Sequence, residues 1–198
     1  MCALHKLMIK KLQLLVRISR SHQIARRYFV VNGFDGALTM LGLLTGFYVA
    51  GTSDLQTVLN ACVGAAVALG VSGISSAYIS ESAEKRQELE SLEQSMIADL
   101  GDTAHGKAAR FMPLVVALVN GMAPFLIAII IIFPVWFSVW SPGVLNKPIE
   151  FSVLIAFCLI FLLGVFLGRV GGTFWLWSGL KALGVALLTG ALILALSP

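Results

Sequence analysis

The sequence predicts an all-α integral membrane bundle of five transmembrane helices, preceded by an amphipathic N-terminal helix. Three observations carry this. Of the 198 residues, 58% are apolar and only 12% are charged, against about a quarter charged in an ordinary soluble domain. Five apolar runs, at about 28–50, 56–80, 111–136, 150–168 and 174–196, each approach or exceed the roughly 20 residues that cross a 30 Å hydrocarbon core. The charges are also segregated along the chain. With a mean hydropathy of +0.91, a disordered chain, a nucleic-acid-binding module and a conventional soluble enzyme are excluded as classes.

Residues 1–27 form the first segment. They hold seven of the 14 basic residues and no acid. Over residues 3–20, Leu4, Leu7, Leu14, Leu15 and Ile18 fall on one helical face, with Lys6, Lys10, Arg17 and Arg20 roughly opposite. Such a helix lies at the headgroup layer, its cations toward anionic lipid. There is no apolar core and small-residue cleavage site of the kind a signal peptide needs.

Residues 28–198 form the membrane domain. Lipid offers no hydrogen bonds, so unbroken apolar runs of this length are helices rather than barrel strands of about ten alternating residues. The second run continues as a polar helix to about residue 98 and breaks at Gly101, giving a short acidic helix-loop at about 81–110. The third lies in an uncharged stretch, 111–146, and is expected to stop between Pro134 and the Ser141-Pro142-Gly143 turn. Segments 1–27, 81–110 and 169–173 carry 12 of the 14 basic residues. The positive-inside rule therefore places the N-terminus in the cytoplasm and the C-terminus outside. Lys181 lies inside the last run and is expected to snorkel back to the inner face. Cys2, Cys62 and Cys158 form no CxxC pair and read as small apolar packers.

The acids divide into a deep one and a shallow set. Asp35 lies eight residues after Arg27, roughly 12 Å deeper along a helix. A carboxylate at that depth costs at least about 2.5 kcal/mol and marks a proton or cation path by default. Tyr28, Asn32, Asp35, Thr39, Gly42 and Gly46 share one stripe, the pattern of a helix seam. Ser72, Ser75, Ser76 and Ser80 form a hydroxyl face on the second run, and Asn120 lies at a similar depth on the third. Asp35, Thr39, Ser72, Ser76 and Asn120 are thus candidates to ring one polar chamber, with oxygen ligands suited to Mn²⁺ or Fe²⁺. Glu81, Glu84 and Glu88 share a face of the polar helix and are candidates to collect cations, while Glu90 and Glu93 point elsewhere. No HExxH, GxSxG or P-loop occurs, so an enzyme is not expected and transport is driven by a gradient or a partner subunit.

The stretches Arg27-Tyr28-Phe29-Val30-Val31-Asn32-Gly33-Phe34-Asp35-Gly36 and Ala77-Tyr78-Ile79-Ser80, with the five-span plan, resemble the vacuolar iron transporter family of Fe²⁺/Mn²⁺ exporters. Pro124, Leu163-Gly164-Val165-Phe166-Leu167-Gly168-Arg169 and the segment from Gly179 to Gly184 are similar too. The resemblance implies a homodimer that exports divalent metal from the cytoplasm in exchange for protons. Metal would be its cargo, with no resident cofactor and no nucleic-acid partner. It implies a path role for Asp35 and metal collection by Glu81, Glu84 and Glu88. The sequence departs from the family at Ala77, where the family has Glu, and at Gly73, where it has Met. The loop of about 30 residues is too short for the family's multi-helix cytoplasmic metal-binding domain. In a prokaryote the membrane would be the plasma membrane. The alternative is a non-transporting scaffold in which Asp35 and the small-residue seam only hold helices together.

Overall fold

The computed structural model describes residues 21–196, in five α-helices. The expected amphipathic helix at 3–20 lies outside the described residues. In chain order the helices are α1 (Ser21–Val49), α2 (Leu55–Met96), α3 (Ala104–Trp140), α4 (Pro148–Val170) and α5 (Trp175–Leu196). All five are long and apolar enough to cross a membrane, which supports a multi-pass membrane protein.

Local chemistry explains where the helices begin and end. Asp54 caps α2: its Oδ1 accepts the Gln56 N–H at 3.1 Å, and its Oδ2 accepts the Thr57 hydroxyl. Pro148 opens α4, where its fixed φ and missing N–H do no harm. Gly51 and Gly172 close α1 and α4 with left-handed φ of 64° and 67°. The N–H groups of Thr52 and Thr173 then reach back to the carbonyls of Phe47 and Gly168 at 3.2 and 3.0 Å. Ile97 makes the same turn after α2 with φ of 49°, and Ala98 N–H returns to Glu93 O at 3.3 Å. A β-branched residue is strained in that region. Pro134 does not end α3, which runs on to Trp140; α3 also begins earlier than the apolar run, at Ala104 rather than 111.

The chain divides into two compact units. One comprises residues 21–29 of α1 together with Val71–Met122. Within it, α2 and α3 approach closely: a Cβ at Gly73 would stand 2.9 Å from Gly121 Cα. The other unit comprises Val30–Gly70 and the chain from Ala123 on. Its core is built by Met40, Leu41 and Leu44 of α1, Val58 and Cys62 of α2, Ile131, Ile132 and Val135 of α3, and Ile160 of α4.

The apolar surface is large, with Phe133, Leu187 and Leu188 all exposed. This is what lipid-facing helices require and what a soluble domain avoids. Tyr48, Trp136 and Trp140 lie toward the C-terminal ends of α1 and α3, and Trp175 and Trp177 open α5, the positions of interfacial aromatic belts. The Arg169 guanidinium lies 5.5 Å from the centroid of the Trp175 ring, a cation–π contact at the α4–α5 turn.

Candidate functional site

Asp35 is the fifteenth of the 29 residues of α1, in the middle of a helix that is a candidate span. Its side chain is exposed, and no hydrogen bond or ion pair joins it to another described residue. The next residue explains how its backbone is seated. Gly36 is buried, and a Cβ there would lie 2.7 Å from both the Cα and the carbonyl oxygen of Pro124. Only a residue without a side chain lets α1 lie so close to α3. The Asp-Gly pair therefore works as a unit, with glycine turned to the packed side and aspartate to the free side.

Thr39, one helical turn on, is half-buried in the same unit. Ser72, Ser76 and Asn120 belong to the other unit. Ser72, Ser75, Ser76 and Ser80 are all exposed, as one hydroxyl face requires. Ser75 and Ser76 donate to their own helix, to Val71 O at 2.8 Å and to Gly73 O at 3.4 Å. Asn120 is buried, and its Nδ2 donates to the same Gly73 carbonyl at 2.6 Å. Gly73 thus supplies an acceptor as well as space: its carbonyl anchors the amide of α3, and its missing side chain admits Gly121. Of the expected chamber, Ser76 and Asn120 converge on this one carbonyl.

The glutamates expected to act together do not share an environment. Glu81 is buried, only 4% exposed, and its Oε1 accepts the Tyr28 hydroxyl at 3.0 Å. Glu81 therefore does not lie on the open face that carries Glu84 and Glu88. The Tyr28 ring comes from α1, so Glu81 ties α2 to α1. Glu84 is exposed, and Glu88, also exposed, pairs with Lys85 at 2.7 Å. Further along the helix, Arg86 Nε donates to Glu90 Oε1 at 2.9 Å. Glu93 Oε1 accepts the Leu100 N–H at 3.0 Å, and Asp99 Oδ1 accepts the Gly101 N–H at 2.8 Å. Glu90, Glu93 and Asp99 line a cleft of about 510 Å³ with Arg86, Arg110 and Tyr78. Among the described residues, no group of three or more His, Cys, Asp or Glu side chains is placed to hold a metal ion.

The partner of Tyr28 was not legible in the sequence. Tyr28 lies on the Asp35 stripe, but its partner is 53 residues away and on another helix. The Gly36–Pro124 approach was hidden in the same way, since both residues stand out singly and nothing local pairs them.

No family model matches the chain, and no solved structure matches it. It is 27% identical over 170 residues to an uncharacterized protein of Methanocaldococcus jannaschii, covering 82% of this chain and 85% of that one.

Proposed function

We propose that this protein is a dimeric divalent-cation transporter, exporting Mn²⁺ or Fe²⁺ from the cytoplasm in exchange for protons. The carrying observation is Asp35: a carboxylate at mid-span, exposed on the surface of the single chain, with no partner among the described residues. Left facing acyl chains, such a group costs several kcal/mol. A second copy laid over the Asp35 face would remove it from lipid and bring two carboxylates to one path. Divalent cations of this hardness take about six oxygen or nitrogen ligands, more than one carboxylate supplies. The second copy, water and hydroxyls such as Thr39 would provide the rest. Binding a proton or a cation alternately at Asp35 would couple the two flows. The resemblance of the Asp35-Gly36 stretch to the vacuolar iron transporter family supports the same reading. The orientation with the N-terminus in the cytoplasm and the C-terminus outside belongs to it too.

In this reading the exposed Glu84 and Glu88 raise the cation concentration near the inner mouth, while Glu81 holds helices together. The test is flux of Mn²⁺ and Fe²⁺ into proteoliposomes, with Ca²⁺ for comparison. Asp35→Asn should abolish flux and leave the dimer intact. Unchanged flux refutes the mechanism. A weakened dimer, with no cation bound by the unmutated protein, establishes the scaffold reading instead.

A further inference from the structure

One end of α4 and α5 forms, with α1, a groove of about 500 Å³ inside a single unit. Its walls are almost wholly apolar, and include Thr45, Phe157, Gly190 and Leu194. The lining runs from Leu187 to Leu194 on α5 and from Glu150 to Phe157 on α4, so the groove extends roughly 10 Å along the helix axes. It therefore lies parallel to the lipid chains beside a spanning helix. Water does not fill an apolar cleft of this kind, which stays dry or takes an apolar guest.

The rim of the groove is polar and carries both signs of charge. Glu150 lies on it, and Lys147 donates to both Glu150 oxygens at 2.8 and 3.0 Å. Tyr48, more than half exposed, lines the same end. The ammonium has one N–H left to give, and the carboxylate has lone pairs left to accept with. That arrangement complements a headgroup with a phosphate and an ammonium side by side. It does not favour a purely anionic one, which the glutamate would repel.

We infer that this groove binds one phospholipid from the leaflet on the side of the α3–α4 loop. One acyl chain lies along Gly190, and a zwitterionic, amine-bearing headgroup sits on Lys147 and Glu150. This rests on the five-span reading alone and not on metal transport.

Gly190 provides a clean test. Gly190 lines the groove, and a Cβ there meets nothing within 4 Å, so a larger side chain starts from open space. The full chain would be reconstituted in nanodiscs of phosphatidylethanolamine, phosphatidylglycerol or phosphatidylcholine, re-extracted, and its retained lipid counted by native mass spectrometry. The expected result is about one retained phosphatidylethanolamine per chain, with about tenfold less retained by Gly190→Phe. Lys147→Gln and Glu150→Gln, which leave the apolar walls intact, should each erase the preference for phosphatidylethanolamine over phosphatidylglycerol. Equal retention by unmutated protein and Gly190→Phe overturns the inference, as does retention indifferent to headgroup. Loss of a dimer in Gly190→Phe without loss of lipid also overturns it, by making the groove a subunit contact.

Discussion

Replacing Gly36 with alanine tests whether the Asp-Gly pair is seated as the geometry says. The new Cβ would start 2.7 Å from the Pro124 Cα and from its carbonyl oxygen, and 3.0 Å from Pro124 Cβ. Ordinary contacts lie at about 3.5–4.0 Å, so α1 and α3 must separate by nearly 1 Å. The nearest atoms are backbone, so no side-chain rotation relieves the clash. Overpacking of this kind costs about 1–3 kcal/mol. Alanine also gains about 0.8–1 kcal/mol over glycine in a helix, which offsets part of the loss. Gly64→Ala, inside α2 and off the Asp35 stripe, isolates the steric part. A Cβ there meets nothing within 4 Å, so it keeps the helix gain without the clash. The two variants should therefore differ by about 1–3 kcal/mol. At about 2–4 °C per kcal/mol for a chain of this length, Gly36→Ala should melt roughly 2–12 °C below Gly64→Ala in the same detergent. The assay is thermal unfolding followed by fluorescence or by loss of the monodisperse peak. Equal melting temperatures would refute the close α1–α3 approach, and with it the account of how Asp35 is turned to the free side.

Three further outcomes follow from single contacts. Tyr28→Phe removes the hydroxyl that Glu81 accepts and leaves a buried carboxyl short of a donor. It should cost about 1–3 kcal/mol, and Glu84→Gln, at an exposed position, should cost almost nothing by the same melting assay. Ile97→Gly relieves a β-branched residue held at φ of 49°, and should stabilise the chain by about 1 kcal/mol, whereas Ile97→Val should not. The hydrogen bonds from the Thr57 hydroxyl and the Gln56 N–H hold the Asp54 carboxyl below its usual range. A carboxyl lowered by folding adds stability above its unfolded pKa, about 3.9, and loses it as pH falls through the lower folded value. The melting difference between the unmutated protein and Asp54→Ala should thus be full at neutral pH and vanish in acid below that value.

Much of the fold was legible because its causes are local. Run length and hydropathy place five helices long and apolar enough to cross a membrane, and the break at Gly101 and the turn at Ser141 agree with the ends of α2 and α3 to within a few residues. Asp35 could be singled out because a lone acid among apolar neighbours is visible without knowing what surrounds it. The environments of the other polar residues were not legible. The wheel correctly puts Glu81, Glu84 and Glu88 on neighbouring positions, yet Glu81 is buried and Glu84 exposed. The difference comes from a phenol on another helix, which a periodicity along one helix cannot register. Asn120 likewise reads as a ligand from its depth, and spacing along α3 cannot register that its amide nitrogen donates to the Gly73 carbonyl of another helix.

The sequence by itself determined that the chain is helical, with helices of membrane-spanning length, and that one carboxylate lies midway along one of them. Those properties depend on composition and spacing over a few turns. Only the tertiary structure decided which side of α1 is packed, which glutamate is a strut and which is exposed, and where a groove is left open beside α5. Those depend on pairs such as Gly36 with Pro124 and Tyr28 with Glu81. Gly36 meets Pro124 because helices approach where side chains are smallest, and Tyr28 meets Glu81 because a buried carboxyl needs a hydrogen-bond donor; both selections act between distant segments of the chain.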